Sequence, residues 1–283
     1  MSQRNLVIRV AFLMVACALA LALWVGPRSD PAFRMVVLDV GQGDAILLQT
    51  PDGSDVLVDG GPDGRVVERL SEYLPPSDRT LELVVLTHPD ADHVGGLPAV
   101  AEHFKIERVL ETAVRSDSLA DRSWEAAIDA QRAQRLEAIG NYRLDVGGVA
   151  LKVLWPPTAV AADAKLRNDT SVVLHVQYGE TDVLLTGDIS ADVEQRLVLT
   201  GTLPDVEVLK VPHHGSISSS SEEFLDALKP AAAVISVGQD NRYGHPHPVV
   251  LRRYNKRGAK MLRTDEDGDV VMTSDGQKIT FDN

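Results

Sequence analysis

The sequence predicts an α/β fold in which two mixed β-sheets are each covered by helices on their outer faces. Short apolar runs recur along most of the chain and end at Gly, Pro or Asp turns, as β-strands do. Segments with apolar residues on one helical face separate many of these runs. The 283 residues are 44% hydrophobic but only 5% aromatic, so we expect an aliphatic core.

In the first half of the chain, strands and turns come before the helices. The predicted strands lie at residues 35–40, 45–49, 55–59, 82–87 and 106–110. The predicted helices lie at residues 65–73, 95–104 and 123–139. The helix over 65–73 follows from Val66, Leu70 and Leu74, which fall on one face.

The second half begins with two hairpins and then alternates strand and helix. The hairpins pair residues 142–146 with 149–154 and 171–178 with 182–186. Strand 206–211, helix 222–228, strand 232–237, helix 248–257 and a hairpin of 269–273 with 278–281 follow. Two helix-covered mixed sheets accommodate this order, and such folds place functional groups at strand ends.

The net charge of −13 has the wrong sign for a protein that clamps long nucleic acid along a basic surface. A phosphodiester substrate is still possible, because bound divalent ions supply positive charge that this count omits. Cys17 is the single cysteine, so neither an intrachain disulfide nor a cysteine-based metal site can form.

Residues 1–26 have the pattern of an export signal. Arg4 and Arg9 precede sixteen uncharged residues, Val10 to Val25, and Gly26-Pro27 then ends the segment. We interpret residues 1–26 as a signal peptide or membrane anchor, 27–33 as a linker and 34–283 as one hydrolase domain. The alternative is a buried terminal helix. We expect the domain to be extracytoplasmic: secreted, periplasmic or anchored by one helix.

Four potential metal ligands follow the predicted strand 82–87: His88, Asp90, Asp92 and His93. This mixture of nitrogen and oxygen donors suits Zn²⁺, Mn²⁺ or a pair of such ions. Further donors follow other apolar strands or precede them: Asp59, Asn168, Asp169, Asp188, His213, His214, His245 and His247. Donors that recur at strand ends predict one shared site.

The motifs around these donors resemble a known family. They read LDVGQGDAILLQTPDG, VLVDGG, LTHPDADHVGG, NDTSVVL, LLTGD, LKVPHHGS and NRYGHPHP. Together they resemble the metallo-β-lactamase superfamily and, within it, the C-terminal hydrolase domain of ComEC-type DNA-uptake proteins. The resemblance implies a four-layer αββα sandwich with divalent metal ions in the cleft between its sheets.

The resemblance also implies which residues hold two ions. His88 and Asp90 would bind the first ion, and Asp92 and His93 the second. Asp188 would bridge both ions, and His213 or His214 would complete the second site. We favour His214, because Gly215-Ser216 follow it as small residues do elsewhere in the superfamily. Asp59 would be a buried acceptor that orients the ligands.

This chain departs from the usual superfamily pattern at two places. Asp90 stands where a second histidine is usual, and Asn168 and Asp169 stand where a further histidine is expected. The ComEC-like branch shares both features. The first site is therefore richer in oxygen and poorer in nitrogen, which weakens the case for Zn²⁺ and strengthens that for Mn²⁺ or Mg²⁺. We expect two divalent ions, Zn²⁺ or Mn²⁺ with Mg²⁺ possible, and the oxygen-rich site argues against β-lactamase activity.

We expect Asp92, Asp188, Lys210 and His245 to take part in catalysis. Two ions about 3.5–4 Å apart can hold a bridging hydroxide for attack on phosphorus. Lys210 and His245 would stabilise charge or protonate the leaving group. Asn168 would hydrogen-bond a phosphate oxygen or a metal-bound water, and the serine run from Ser216 would border the entrance.

For several of these polar residues a structural role is an alternative. Lys210 could be a solvated residue at the end of a strand. We interpret Asp39 and Asp44 as turn residues and His247 as a helix cap.

The leading functional hypothesis is an exported, metal-dependent phosphodiesterase, most simply a nuclease on single-stranded or short DNA. One alternative is a hydrolase of another ester, a lactone, a lactam or an envelope phosphoester. Another is a non-catalytic DNA-binding partner of a competence machine, which the acidic balance disfavours. With at most one candidate span, the chain is not expected to form the many-helix channel of full ComEC proteins.

Overall fold

The computed structural model describes residues 32–165, 168–201 and 203–282, together with the single positions 9, 12 and 14. The chain divides into two units, Met1–Pro31 and Ala32–Asn283. The predicted signal or anchor therefore lies outside the described residues, except for those three positions. Across the described ranges, we find no helix with the length and hydropathy of a membrane span.

The strands are short and lie in two large sheets and one small one. In chain order they are β1 (Phe33–Val37), β2 (Ile46–Gln49), β3 (Asp55–Val58), β4 (Thr80–Leu81), β5 (Leu83–Leu86), β6 (Lys105–Ile106), β7 (Arg108–Glu111), β8 (Gln134–Glu137), β9 (Arg143–Val146), β10 (Val149–Trp155), β11 (Val173–Tyr178), β12 (Thr181–Leu185), β13 (Val208–Lys210), β14 (Ala232–Ile235), β15 (Lys260–Arg263), β16 (Val270–Ser274) and β17 (Ile279–Asp282).

Helices connect many of these strands. They are α1 (Arg65–Tyr73), α2 (Ala91–Val94), α3 (Leu97–His103), α4 (Leu119–Gln131), α5 (Ala191–Thr200), α6 (Glu222–Leu228), α7 (Pro248–Lys256) and α8 (Thr264–Asp267). Short 3-10 turns lie at Asn168–Thr170 and Pro212–Gly215.

The two large sheets are mixed, as the sequence predicts. The first has the order β17-β16-β1-β2-β3-β5-β7-β8, and the second β15-β14-β13-β12-β11-β10-β9. Antiparallel pairs join β16, β1, β2 and β3, whereas β3, β5, β7 and β8 are parallel. In the second sheet β12 to β15 are parallel and β9 to β12 antiparallel.

Successive side chains of a strand point to opposite faces of its sheet, and they form three apolar cores. Val85 of β5 and Val183 of β12 belong to a core between the two sheets. Val84, next to Val85, packs on the other side of the first sheet with Val66 of α1. Leu184 lies in a third core with residues of α5, α6 and α7. Four layers in the order helix, sheet, sheet, helix result, and the predicted αββα class is confirmed.

The prediction of a single helix over residues 123–139 is wrong. The helix begins after Ser118, whose hydroxyl accepts a hydrogen bond from Asp121 N, and Arg132 ends it with a left-handed φ of 57°. Residues Gln134–Glu137 then form β8, which pairs with β7 at the edge of the first sheet. An exposed edge strand needs no apolar run, so the sequence pattern gave no strand signal there.

Several elements were not predicted at all: the short β4, α2 and α8, and the longer α5 and β15. Helix α5 buries only Val193, Glu194 and Leu197, so its apolar stripe is narrow. Strand β15 carries Lys260 and Arg263 at its two ends and shows no apolar alternation.

Candidate metal centre

The donor segments follow strands that run in the same direction within each sheet. Asp59 follows β3, and the segment 88–93 follows β5, the parallel neighbour of β3. Asp188 follows β12, and His213 with His214 follows the parallel neighbour β13. The carboxyl ends of parallel strands meet at one edge of a sheet, and this geometry brings the four segments together.

The imidazoles and carboxylates of these segments converge on one buried point. The Nε2 atoms of His93 and His214 each lie 3.3 Å from Asp188 Oδ2. His214 Nε2 is 3.5 Å from Asp92 Oδ2. Potential ligand atoms of Asp92, His93, Asp188 and His214 all lie within 4.8 Å of one another. His88 joins them, with its ring centroid 4.1 Å from that of His93.

Several of the converging atoms are buried and have no hydrogen-bond partner among the described residues: His88 Nε2, His93 Nε2, His214 Nε2 and Asp188 Oδ1. Buried polar atoms without a partner are rare in folded proteins and call for an explanation. Three imidazole nitrogens and a carboxylate that face one point are the ligands that Zn²⁺ and related ions take once the imidazoles have lost their protons. The residues therefore fit the metal centre that the sequence predicts.

The remaining predicted ligands lie at the edge of this cluster. Asp90 Oδ2 is 3.9 Å from His88 Nε2, and His213 Nε2 is 3.9 Å from Asp188 Oδ2. His214 lies nearer to Asp188 than His213 does, and its Nδ1 is 2.8 Å from the carbonyl oxygen of Ser236. That bond leaves Nε2 free for a metal ion.

Asp59 lies behind the cluster, as a buried acceptor. It is 0% exposed, and it accepts hydrogen bonds from Thr87 N at 2.8 Å and Thr87 Oγ1 at 2.7 Å. Its Oδ2 is also 2.8 Å from His93 Nδ1. A carboxylate on Nδ1 fixes the tautomer of His93 and directs Nε2 toward the cluster.

Our interpretation of Asp44 as a turn residue is wrong, as is the alternative of a solvated Lys210. Asp44 is 2% exposed and Lys210 0% exposed, and their charged groups are in contact. Lys210 Nζ also donates to Gly187 O at 3.2 Å and lies 3.7 Å from Asp188 Oδ1. Asp44 Oδ1 is 3.4 Å from His214 Nδ1. The pair thus lies next to two of the proposed metal ligands, Asp188 and His214, on their buried side.

A sequence signal for this pair existed. Lys210 is a charged residue within the apolar run Val208-Leu209-Lys210-Val211, and a buried ammonium needs a buried anion. Asp44 precedes the apolar run Ala45 to Leu48. Asp39, by contrast, accepts a hydrogen bond from Gly41 N at 3.1 Å, as a turn residue does.

The pKa shifts reflect a concentration of negative charge. Burial alone would raise the pKa of Asp44, but Lys210 and then His214 lower it to about 2. Burial likewise opposes the ionised form of Asp188, whose pKa His214 and His93 hold well below 3.8. Burial lowers the pKa values of His93 and His214, but Asp188 together with Asp59 at His93 and Asp44 at His214 outweighs burial and raises both values well above 6.5. The carboxylates that favour protonation of these histidines would also attract divalent cations, and a bound cation would replace the protons.

A cleft of about 170 Å³ opens onto the cluster. Its walls are formed by Gln42, Asp90, Asp92, Asn168, Asp188, His213, His214, Tyr243 and His245. Asn168 Nδ2 lies 3.5 Å from His213 Nε2, so it is placed to contact a bound substrate or a ligand. Burial, followed by His214 and His213, lowers the pKa of His245 to about 4, so its imidazole is neutral at pH 7.

Other predicted site residues do not line this cleft. Lys210 is fully buried and is not among the residues that line the cleft. Its role in catalysis stays a prediction. Asp169 has a structural contact, because its Oδ1 accepts from Ser190 N at 3.4 Å. Ser216 is 7% exposed, and its Oγ is 2.9 Å from Ser218 Oγ. His247 Nδ1 accepts from Val249 N at 3.2 Å and caps α7, which confirms that interpretation.

The backbone at three donor positions is strained. Asp59, His213 and His214 have φ values of 59°, 50° and 52°, in the left-handed region that non-glycine residues rarely adopt. His213 N donates to Gly187 O at 3.2 Å, which ties this segment to the loop that carries Asp188. Strain of this kind persists only where the surroundings impose it, and it clusters at functional sites.

The chain is similar to longer bacterial proteins over most of its own length. Identity is 30% with ComE operon protein 3 of Bacillus subtilis, covering 94% of this chain and 36% of that protein. It is 29% with Recombination protein 2 of Haemophilus influenzae, over 95% and 32%. It is 33% with Competence protein ComA of Neisseria gonorrhoeae, over 86% and 32%. The chain spans about a third of the length of these relatives.

Solved structures show the same fold at low identity. YhfI of Bacillus subtilis, a metallo-beta-lactamase fold protein, has a TM-score of 0.58 at 13% identity and covers 86% of this chain and 100% of its own. CmlA of Streptomyces venezuelae, a diiron beta-hydroxylase, has a TM-score of 0.54 at 17% identity, over 83% and 53%. The family profile described as the metallo-beta-lactamase superfamily matches residues 38–239. The chain therefore belongs to the metallo-β-lactamase superfamily.

Proposed function

We propose that this chain is a dinuclear, metal-dependent phosphodiesterase that acts on nucleic acid, most simply on single-stranded DNA. The observation that carries the proposal is the convergence of unpartnered donor atoms from His88, His93, Asp188 and His214 at the base of an open cleft. The competence and recombination proteins among its relatives support a nucleic-acid substrate.

The charges around the cleft favour two divalent ions rather than one. Among the residues that the structure describes, five carboxylates surround the cluster, and they belong to Asp44, Asp59, Asp90, Asp92 and Asp188. The ammonium of Lys210 offsets one of these negative charges. The other four match two divalent cations when the histidines are neutral, as metal ligation requires.

Different side chains would bind the metal ions, orient the metal ligands and contact the phosphate. When bound, two divalent ions would lower the pKa of a water molecule and neutralise charge on the phosphate. His88, Asp90, Asp92, His93, Asp188 and His214 would hold the ions. Asp59 orients His93 through Nδ1, and the carbonyl oxygen of Ser236 orients His214 through Nδ1. His245 and Asn168 line the cleft, where neutral N–H groups can donate hydrogen bonds to phosphate oxygens.

A comparison of substrates tests the proposal. Wild-type protein, freed of metal and reloaded with Mn²⁺, Zn²⁺ or Mg²⁺, should hydrolyse bis-p-nitrophenyl phosphate and single-stranded DNA but not a chromogenic cephalosporin. Asp92→Ala should lose this hydrolysis. Lack of hydrolysis with every ion would refute the proposal, and hydrolysis of the cephalosporin alone would assign the site to lactam chemistry. A gel shift in EDTA without any cleavage would support a DNA-binding role instead.

We propose also that the domain works outside the cytoplasm, held or exported by residues 1–26. The basic start and the sixteen uncharged residues that follow support this placement. A fusion of residues 1–33 to a reporter that is active only after export should give activity. An inactive fusion, with the reporter retained in the cytoplasm, would contradict it.

A further inference from the structure

An aromatic side chain stands at the mouth of the cleft. Tyr243 lines the cleft and is 55% exposed. In residues 32–165, 168–201 and 203–282, the other large apolar side chains with comparable exposure are aliphatic: Leu119, Leu199 and Ile217. An exposed aromatic ring beside a cluster of metal ligands is a candidate contact for substrate.

A row of rings leads from the metal centre to this tyrosine, and we call His213, His245 and Tyr243 the aromatic row. The ring centroids of His213 and His245 are 5.7 Å apart, and those of His245 and Tyr243 are 5.8 Å apart with an interplanar angle of 23°. At its inner end, His213 Nε2 lies 3.9 Å from Asp188 Oδ2. The outer ring is therefore two ring contacts from His213, which lies beside the proposed metal ligand Asp188.

One asparagine holds the backbone of this loop. Asn241 Oδ1 accepts from Tyr243 N at 3.2 Å and from His245 N at 3.1 Å. Its Nδ2 donates to Gly238 O at 3.0 Å and to His245 O at 2.6 Å. The loop positions Tyr243 before any ligand arrives, which reduces the entropy lost on binding.

A cation accompanies the ring. The Arg242 guanidinium carbon lies 5.2 Å from the Tyr243 ring centroid, and Arg242 Nη2 donates to Tyr243 Oη at 3.1 Å. Arg242 is exposed at the surface of a chain with a net charge of −13. An aromatic ring next to an arginine is the combination that binds unpaired bases together with the neighbouring phosphate.

We propose that Tyr243 forms a stacking subsite for an unpaired nucleobase adjacent to the phosphodiester that is hydrolysed, with Arg242 contacting a flanking phosphate. This inference rests on the proposed phosphodiesterase function and adds that the substrate must present a free base. Bases inside a duplex are already stacked on their neighbours, so the subsite selects single strands.

Steady-state cleavage in Mn²⁺ tests the subsite. The substrates are a thymidine oligonucleotide and a strand of equal length whose central nucleotides lack bases. The variants are Tyr243→Ala, Tyr243→Phe and, as a matched truncation of another exposed apolar side chain, Leu119→Ala. Stacking is worth about 1–3 kcal/mol per base, so Tyr243→Ala should raise KM for the thymidine strand by roughly 5- to 150-fold. Tyr243→Phe and Leu119→Ala should keep the wild-type KM.

The comparison of the two strands decides what the result means. Wild type should favour the thymidine strand over the abasic strand, and Tyr243→Ala should bring the ratio of their KM values close to one. Equal KM values for both strands in wild type, or an unchanged ratio in Tyr243→Ala, would overturn the subsite while the phosphodiesterase function stands. A wild type that cleaves neither strand and no small phosphodiester would overturn both.

Discussion

The ammonium of Lys210 contacts the carboxylate of Asp44 in the interior of the protein, directly behind the proposed metal ligands. Both side chains are sealed from solvent, so neither charge can be satisfied by water if its partner is removed. Lys210 also faces Asp188, and Asp44 faces His214. The pair therefore links the stability of the fold to the geometry of the metal centre.

Removal of the lysine charge should be costly. Lys210→Met leaves Asp44 buried without its cation, and breaking such a pair costs about 3–5 kcal/mol of unfolding free energy. The double variant Asp44→Asn with Lys210→Met should recover most of this loss, since no unpaired charge remains. Urea denaturation of the metal-free proteins measures both values.

The matched control is Lys105→Met, which breaks the exposed pair between Lys105 and Glu107. It should leave the unfolding free energy close to the wild-type value, because solvent screens an exposed pair. A Lys210→Met variant as stable as this control would show that the buried pair contributes nothing.

Gly43 should be required for the position of Asp92. A Cβ at Gly43, with φ of +133°, would lie 2.1 Å from the carbonyl oxygen of Asp92, so Gly43→Ala must displace the segment that carries this ligand. Gly148 also has a positive φ, of +82°, but nothing lies within 4 Å of its Cβ position. Gly43→Ala should weaken Mn²⁺ binding, measured by calorimetric titration, whereas Gly148→Ala should not. Equal effects of the two substitutions would contradict this interpretation.

Asp59 should tune metal affinity without touching the metal. Asp59→Asn weakens the acceptor that faces His93 Nδ1 and disturbs the bonds from Thr87. Replacement of such a supporting carboxylate typically lowers metal affinity by about 10- to 100-fold. Competition with a chromophoric chelator measures the change. A variant with wild-type affinity would show that His93 is oriented by other contacts.

Glu194 should give the protein a recognisable pH dependence of stability. It is 0% exposed and accepts hydrogen bonds from Ser220 N at 2.6 Å and Ser221 N at 2.7 Å, yet burial dominates and raises its pKa above 4.5. A raised folded-state pKa means that its contribution is complete below pH 4.5 and is lost as pH rises through the folded value.

Glu194→Gln removes this titration, so the free energy of unfolding of wild type relative to the variant should fall as pH rises above 4.5. Urea denaturation of both proteins over a series of pH values measures the difference. A difference that grows with pH would show the opposite shift, with the ionised carboxylate favoured by its two backbone donors.

Features formed by residues close together in the chain could be predicted from the sequence. His88, Asp90, Asp92 and His93 lie within six positions after an apolar strand, so their clustering was visible without a fold. The contact between Asp44 and Lys210 was not, because it joins β13 to the loop before β2 in the other sheet. The edge strand β8 escaped prediction because its side chains are mostly exposed and follow no apolar pattern.

We propose that side chains from both sheets, with Asp188 at their centre, would hold two divalent ions. Calorimetric titration of the metal-free protein with Mn²⁺, checked by elemental analysis of the dialysed complex, tests it most directly. Wild type should bind two ions per chain, and Asp188→Ala should bind at most one, more weakly. Binding of no ion by wild type, or an unchanged stoichiometry and affinity in Asp188→Ala, would contradict the account.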